Sequence, residues 1–331
     1  MSKKNILFIN GIPDDGKMLI QKVDKSGLIK WRGKGSTNLS NFLENDLFDQ
    51  YNVVFDLKAT QILPQQKIHA VFNQISDVDT HKNVLRKVDS FYKTVSAHVP
   101  FFNIPSLVMK TTRDSIYRSL QGIDKVHVPK TVRLTPKSPS YIYKIIEKEN
   151  FEFPVIFRQT GHHGGVSTIR VDDETEQFHA FPLDGRDYYL TQFVDYADRD
   201  VYSKYRLVVV GGEVFIRHVI FSDSWMIHSK SREYMEENKK YQEKEEQILE
   251  SFNTKIKPKI QGIINEIYQK LGLDYFGIDC HIDDHMNLFI FEINANMNVL
   301  INTAKDKDNP WTKQIDMIKK AIITMILKDK K

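Results

Sequence analysis

The stretch from Tyr275 to Leu300 constrains the fold of this chain more than any other part of its sequence. Its first half, YFGIDCHI, and its second half, LFIFEINAN, are apolar and rich in aromatic and β-branched residues, and a polar DDHMN run separates them. Two such runs around a turn-forming segment predict two antiparallel strands joined by a tight turn. The rest of the chain must supply the layers that cover this apolar hairpin.

Three oxygen-bearing side chains interrupt these apolar runs: Asp279 on the first strand, and Glu292 and Asn294 on the second. Glu292 and Asn294 are two residues apart, so both point to the same face of an extended strand, and Asp279 lies across the hairpin. Burying an unpaired carboxylate is costly, whereas two carboxylates and an amide oxygen suit Mg²⁺ or Mn²⁺. We predict a metal site here; the alternative is a hairpin with ordinary polar ends.

Composition sets outer limits on the fold and on the partners. A chain of 331 residues with 41% hydrophobic content can bury a large core and form two or three domains. Its 47 basic and 43 acidic residues are too balanced to favour nucleic acid as the main partner. The single cysteine, Cys280, fits a reducing compartment, and we see neither a signal peptide nor an apolar run of membrane-spanning length. We therefore expect a soluble, cytoplasmic protein with no membrane partner.

The first hundred residues predict a small open α/β sheet. Strand patterns at 5–10, 51–56 and 68–73 alternate with helical patterns at 38–48 and 82–95. Two prolines in the tract that follows lead us to place the first domain boundary at residue 104.

The segment Gly11–Met18 nearly matches the phosphate-binding loop GxxxxGK[ST] and follows a strand, as that motif requires. However, Met18 stands where a hydroxyl must reach Mg²⁺, and Pro13 removes one N–H group. Asp14 and Asp15 would also place negative charge where phosphates should lie. We interpret the segment as an ordinary exit from the first strand.

A glycine-rich loop follows the apolar strand that ends at Arg158. Residues 159–167 contain three glycines and two hydroxyl residues, and a further strand follows. Strand, glycine-rich loop and strand are typical of a flap whose backbone N–H groups cover phosphates, although a plain hairpin turn is the alternative. His162 and His163 are adjacent and point apart in an extended loop, so we expect them to contact phosphate or substrate, or to be exposed.

The chain after residue 187 predicts a mixed sheet covered by helices. A strand at 188–194 precedes a hairpin at 205–220 with Gly211 and Gly212 at its turn, and this hairpin carries Arg206 and Arg217 on its two strands.

The order of these pieces resembles the ATP-grasp superfamily, and within it the branch that contains ribosomal-protein glutamate ligase and glutathione synthetase. The resemblance covers residues 113–300 and rests on four stretches: RDSIYRSLQ with VPKTV, FPVIFRQTGHHGG, LTQFVDYADRD with YRLVVVGGEV, and GIDCHID with FIFEINAN. It implies an α/β (α+β) fold in three parts. These are a Rossmann-like pre-ATP-grasp domain in residues 1–104, a small αβ lid subdomain with the flap in residues 105–187, and a mixed-sheet subdomain with the Mg²⁺ site in residues 188–331.

The resemblance also implies roles for individual residues. Asp279, Glu292 and Asn294 would bind the Mg²⁺ ions that bridge the ATP phosphates. The residues implied for the rest of the nucleotide are Arg158 in place of a phosphate-binding lysine, His163, Gly164 and Gly165 in the flap, Gln192, Phe193 and Val194 beside the adenine, and Asp198 or Asp200 at the ribose. The residues implied for the substrate and the transferred phosphoryl group are Arg206, Arg217, His228 and Lys230.

Two departures from the family pattern affect these assignments. Ser115 replaces a lysine that follows the RD pair in related ligases, and Arg118, one helical turn later, is the candidate replacement. After Asn294, the segment Asn296–Asn298 replaces a Ser-Pro-Gly type of turn that borders the acceptor substrate. Familiar substrate specificities should therefore not be assumed for this chain.

The function that the resemblance implies is an ATP-dependent carboxylate–amine ligase that forms an amide or peptide bond through an acylphosphate. Its partners would be ATP and a small-molecule or peptide carboxylate and amine. Three alternatives stay open: an ATP-grasp kinase that phosphorylates a small-molecule hydroxyl, an ATP-binding module without turnover, and a non-ATP α/β protein with an incidental acidic hairpin. The sequence does not identify the substrates. It also does not determine the oligomeric state, and a homo-oligomer is one of the states left open.

Overall fold

The computed structural model of the chain describes residues 3–32, 35–43, 46–59, 63–162, 164–174, 176–302 and 309–328. Its strands are β1 (Lys4–Gly11), β2 (Leu19–Val23), β3 (Ile29–Arg32), β4 (Phe48–Phe55), β5 (Ala70–Asn73), β6 (Phe101–Phe102), β7 (Val126–His127), β8 (Thr131–Leu134), β9 (Val155–Gln159), β10 (Thr168–Val171), β11 (Tyr188–Gln192), β12 (Tyr202–Val210), β13 (Glu213–Ser222), β14 (Tyr275–Ile282) and β15 (Leu288–Ala295).

Its α-helices are α1 (Val78–Val95), α2 (Pro105–Val108), α3 (Arg113–Leu120), α4 (Pro139–Lys148), α5 (Ser231–Glu237), α6 (Lys239–Ser251), α7 (Lys257–Leu271) and α8 (Pro310–Leu327). Short 3₁₀ helices cover Leu39–Phe42 and Glu176–Ala180, and a π-helical turn, Phe252–Ile256, joins α6 to α7. Across the described residues we find no helix that combines the length and the apolar character needed to cross a membrane.

The N-terminal domain is an open parallel sheet in the order β4-β1-β5-β6, as the alternation of strands and helices predicts. The helix predicted at 38–48 is wrong. In the described part of that segment, residues 38–43 and 46–48, only a 3₁₀ turn forms, and β4 begins at Phe48 because its eight residues pair in register with β1. The Gln74 side chain also accepts a hydrogen bond from the backbone N–H of Ser40, so tertiary contacts decide the conformation of this segment.

The loop after β1 is held to helix α1. The carboxylate of Asp14 accepts hydrogen bonds from the backbone N–H groups of Asn83 (2.8 Å) and Val84 (3.0 Å), just past a non-helical residue, His81. A side-chain anion therefore occupies backbone donors that could otherwise bind a phosphate. This contact agrees with our interpretation of the loop as an ordinary exit from the strand.

A second, antiparallel sheet, which we call the lid sheet, has the order β10-β9-β11-β8. It has a core of its own, in which Phe157 stacks on Tyr188 and Ile142 of α4 is buried. Strand β11 pairs with both β8 and β9, although the proposed domain boundary at residue 187 precedes it. The three-part division remains a proposal, and this pairing favours a second boundary after Gln192.

The C-terminal sheet has the order β13-β12-β14-β15-β7, and it contains the predicted hairpin as β14 and β15. Alternate residues of its central strand β12 enter different cores. Leu207 and Val209 join the core on the side of α7, whereas Val208 and Val210 join the core that contains α8 and the N-terminal sheet. The sheet is thus covered on both faces at β12.

Two asparagines, both fully buried, join the N-terminal domain to this hairpin. The Asn103 amide donates to the side-chain oxygen of Asn296 (2.6 Å) and to the carbonyl of Tyr275 (2.7 Å), and its own oxygen accepts from the N–H of Tyr275 (2.9 Å). Asn296 in turn donates to the carbonyl of Ile75 (2.9 Å). These hydrogen bonds fix the segment that follows the predicted metal-binding strand.

Candidate active site

A cavity of about 500 Å³ lies between the lid sheet, the hairpin and the start of α1. Its volume is within the range of sites for small molecules and cofactors. Most of the residues singled out in the sequence line it: Arg158, Gly164, Gly165, Gln192, Phe193, Val194, Arg206, His228, Asp279, Glu292 and Asn294. The fold therefore brings together side chains that are up to 136 positions apart in the chain, from Arg158 to Asn294.

Five other candidates do not belong to the cavity lining, and His163 lies outside the described residues. Arg118 is exposed and pairs with Asp114 (2.7 Å) on its own helix. Asp198 and Asp200 lie in an exposed turn before β12, and Lys230 is exposed at the start of α5. Their predicted contacts with ribose, phosphate or substrate remain predictions.

Arg217, the fifth, is almost fully buried behind the cavity. Arg206 on β12 pairs with His218, and the register then shifts so that Arg217 is the extra residue of a β-bulge. Its guanidinium donates to the carbonyls of Val299 (2.8 Å) and Ile301 (2.9 Å). In this position Arg217 holds the segment after the hairpin rather than facing the cavity.

The hairpin wall of the cavity contains a dense charge network around Asp279. This carboxylate is 6% exposed and makes two hydrogen bonds of 2.8 Å to Arg206, with the Lys204 ammonium 3.6 Å away. Burial opposes ionisation of Asp279, but the charges of Arg206 and Lys204 outweigh it and hold its pKa below the usual value. Asp279 is therefore a carboxylate at neutral pH.

Glu292 is the register partner of Asp279 on β15, and Asn294 follows on the same face. The Glu292 carboxylate pairs with Arg113 at 2.5 Å, and Arg113 also donates to the carbonyl of Phe291 (2.9 Å). In the described part of the chain no cluster of three His, Cys, Asp or Glu side chains forms a metal site. Two carboxylates and an amide oxygen at neighbouring register positions beside the cavity nevertheless fit the oxygen preference of Mg²⁺.

The lid wall is formed by Arg158 and the glycine-rich flap. The Arg158 guanidinium donates a hydrogen bond to the carbonyl of His162, so the end of β9 is bonded to the flap that follows it. Burial, followed by the charge of Arg113, lowers the pKa of Arg158 to about 10, which leaves it cationic at neutral pH. Gly165 has φ +80°, and a Cβ there would lie 2.9 Å from the sulfur of Met226. The flap therefore touches the 225–229 loop across the cavity.

One end of the cavity is lined by aromatic rings. Phe193 meets Trp225 edge to face at 5.7 Å, and Tyr196 lies 5.2 Å from Phe289 and 4.9 Å from Phe291. Flat apolar walls suit a planar ring such as a nucleobase.

No protein-family model and no curated protein sequence matches this chain. Solved structures do match. The VanG D-Ala:D-Ser ligase from Enterococcus faecalis has a TM-score of 0.58 at 11% identity, over 98% of this chain and 100% of that one. The D-alanine–D-alanine ligase from Bacillus anthracis complexed with ATP has a TM-score of 0.52 at 10% identity, over 98% and 95%. The RimK domain protein ATP-grasp from Sphaerobacter thermophilus has a TM-score of 0.50 at 10% identity, over 98% and 100%. The chain has the ATP-grasp fold.

Within this ATP-grasp structure, sequence reasoning missed two cations of the hairpin wall, Arg113 and Lys204. Lys204 is two residues before Arg206, so the period of a strand places both on one face, and this spacing was an available signal. Its ammonium donates to the carbonyl of Ile227 (2.7 Å), and burial lowers its pKa despite the nearby Asp279. Arg113 gave no such signal, because its partner Glu292 is 179 residues away.

Asp79 at the start of α1 is the other residue that the sequence did not reveal. It accepts hydrogen bonds from Arg133 (2.8 Å) and from the hydroxyl of Tyr189 (2.8 Å), both on the lid sheet. It also accepts from the N–H of Gly161 in the flap (3.4 Å). Burial raises the pKa of Asp79 although Arg133 opposes the shift. This carboxylate connects the N-terminal domain of the ATP-grasp fold to its lid.

Proposed function

We propose that this chain is an ATP-dependent, ADP-forming ligase that joins a carboxylate to an amine, with an amino acid or a peptide as substrate. The observation that carries the proposal is the cavity that Arg158, Arg206 and Lys204 line together with Asp279, Glu292 and Asn294. The solved structures that share the fold and are described as D-Ala-D-Ala and D-Ala:D-Ser ligases support the same class. The single cysteine, buried at position 280, supports a cytoplasmic location.

In the proposed first step, an oxygen of the substrate carboxylate attacks the γ-phosphorus of ATP. The bond from that phosphorus to the β–γ bridging oxygen breaks, and ADP leaves. An amine then attacks the acyl carbon of the acylphosphate, phosphate leaves, and an amide remains. Both steps develop negative charge on oxygens, so fixed cations lower the barrier without any side-chain nucleophile.

In this proposal, one set of residues neutralises the charge of the phosphates and another excludes water from the cavity. Asp279, Glu292 and Asn294 would hold Mg²⁺, which when bound supplies positive charge at the phosphate oxygens. Arg158 on the lid wall and Arg206 on the hairpin wall line the same cavity, and both would supply positive charge to the phosphates of a bound nucleotide. The flap and the 225–229 loop, which meet at Gly165 and Met226, exclude water that would hydrolyse an acylphosphate.

The test is release of ADP and phosphate from MgATP in the presence of pooled amino acids and short peptides, with mass spectrometry of the mixture. A product lighter by one water than its two parents supports the ligase and identifies both substrates. A product that gains a phosphoryl group overturns the ligase in favour of a kinase. MgATP binding without turnover across the whole panel indicates a binding module, and absence of MgATP binding contradicts the proposal altogether.

A further inference from the structure

Strands β2 and β3 form a two-stranded ribbon that belongs to none of the three larger sheets. They pair antiparallel with each other, and in the described part of the chain no other strand or isolated bridge pairs with them. The turn of the ribbon is ordered by Asp24, which accepts hydrogen bonds from the N–H groups of Ser26 (2.9 Å) and Leu28 (3.0 Å). Among the described residues, the backbone donors and acceptors on the outer edges of the ribbon therefore pair with no other strand.

Four large apolar side chains of this ribbon and its turn face solvent. Ile20 is 56% exposed, Val23 54%, Leu28 68% and Ile29 43%. Single exposed apolar residues are common on folded proteins, but four within ten residues form a patch of the kind that marks an interaction site.

The ribbon is also basic. Residues 19–32 include Lys22, Lys25, Lys30 and Arg32, and their single acid, Asp24, has its carboxylate engaged in the turn. Lys22 and Lys25 are both exposed, so their ammonium groups place positive charge on the surface of the ribbon. Acidic side chains of a bound segment would complement this charge.

We propose that the β2–β3 ribbon binds an extended, acidic peptide segment of a partner protein as an added strand. The unpaired edges require a strand-like occupant, the exposed apolar side chains provide contacts for alternate residues, and the charge selects an acidic sequence. A second copy of this chain would bring an equally basic ribbon, so charge disfavours self-pairing. A membrane surface would leave the backbone groups of the edge unpaired. The proposal does not depend on the ligase activity.

The experiment is fluorescence anisotropy of the full chain with a labelled twelve-residue peptide of alternating glutamate and valine or threonine. A peptide with lysine in place of glutamate is the control for charge, and an N-methylated version is the control for strand pairing. We expect binding of the acidic peptide only, weakening as salt rises from low to physiological concentration. The double substitution Lys22→Glu and Lys25→Glu should weaken binding at least about tenfold.

The matched control is Lys58→Glu with Lys67→Glu, which changes the net charge equally at two exposed lysines of the same domain outside the ribbon. It should leave the affinity within about twofold of the unchanged protein. A second test variant, Val23→Thr with Leu28→Gln, removes apolar contacts at exposed positions and should also weaken binding. Thermal unfolding and MgATP binding check that each variant is folded.

Several outcomes would overturn the proposal. One is equal affinity of the unchanged protein and the Lys22/Lys25 variant for the acidic peptide, and another is equal binding of the lysine or N-methylated peptide. Binding to anionic phosphatidylserine vesicles without peptide binding would assign the ribbon to a membrane surface. Concentration-dependent dimerisation that Val23→Thr with Leu28→Gln abolishes, again without peptide binding, would assign it to a second copy.

Discussion

The two walls of the cavity hold their charges in different ways. On the hairpin wall, Arg206 and Asp279 are register partners on adjacent strands β12 and β14, so the strand pairing itself brings the ions together. On the lid sheet, Arg133 pairs both with Asp79 of α1 and with Asp187 of the lid itself, and Arg158 is satisfied by the backbone of its own flap. The Arg206–Asp279 pair is therefore fixed by one sheet, whereas the position of the lid wall depends in part on how the lid meets α1.

This difference separates a preorganised wall, the hairpin wall, from a wall that can move, the lid wall. Electrostatic catalysis requires charges that do not rearrange during the reaction, and the hairpin wall meets that requirement. Access for ATP requires a wall that can open, and the lid is joined to α1 through hydrogen bonds that converge on one carboxylate. We expect substitutions in the hairpin wall to abolish chemistry and substitutions at the lid contact to change opening.

The largest expected effect is that of Asp279→Asn. It removes a carboxylate from the predicted metal site and leaves Arg206 without its ionic partner, so we expect kcat/KM to fall at least about 100-fold, or about 3 kcal/mol. Steady-state ADP release measures the change. The matched control is Asp284→Asn in the exposed turn of the same hairpin, which should retain nearly full activity. Similar activities for the two variants would contradict the assignment of a catalytic centre to this wall.

A smaller effect is expected for Asp79→Ala, which removes the common acceptor of Arg133, Tyr189 and the Gly161 N–H. We expect amide hydrogen exchange in residues 155–192 to speed up about tenfold, while residues 275–295 keep their protection. Asp187→Asn is the control, because Asp187 pairs with the same Arg133 from within the lid. If Asp187→Asn loosened the lid as much as Asp79→Ala, the domain contact would not be what holds it closed.

A third prediction concerns pH and His218, the register partner of Arg206. Burial, followed by the charge of Arg206, lowers the pKa of His218 well below its ordinary value of 6.5. Below pH 6.5 the unfolded chain therefore binds a proton at this imidazole, whereas the folded chain does not. The free energy of unfolding that is present above pH 6.5 consequently decreases as the pH falls below that value. His218→Leu should remove a slope of up to about 1.4 kcal/mol per pH unit.

Urea unfolding at pH 7 and pH 5 measures this slope for the unchanged protein and for His218→Leu. His69, an imidazole of the N-terminal domain that accepts a hydrogen bond from the N–H of Asn5, supplies the comparison as His69→Gln. An identical pH dependence of unfolding in the unchanged protein and in His218→Leu would mean that this imidazole is not kept neutral by the hairpin wall.

The sequence was most informative where a local pattern determines a structure. The hairpin, its turn and the shared face of Glu292 and Asn294 follow from apolar runs and from the period of a strand, and all three are present. The glycine-rich flap could be recognised for the same reason. These features need no knowledge of which distant segments meet.

The sequence was uninformative where distant segments decide the structure. Pairing of β12 with β14 places Arg206 on Asp279 across 73 residues, and a one-residue bulge turns Arg217 away from the cavity. Neither the strand register nor the bulge can be recognised from the local amino-acid composition. The ribbon of β2 and β3 was missed because its exposed apolar residues do not show the alternation of a half-buried strand.

The buried asparagine pair has a consequence for any attempt to separate or exchange the parts of this molecule. Asn103 lies beside the proposed boundary at residue 104, yet its side chain is bonded only to atoms of Tyr275 and Asn296 among the hydrogen bonds described above. A fragment cut at that boundary would expose the Asn103 amide on one piece, and the Asn296 amide with the start of β14 on the other. We therefore expect an exchange of the N-terminal domain to keep the fold only when Asn296 and the start of β14 are exchanged with it.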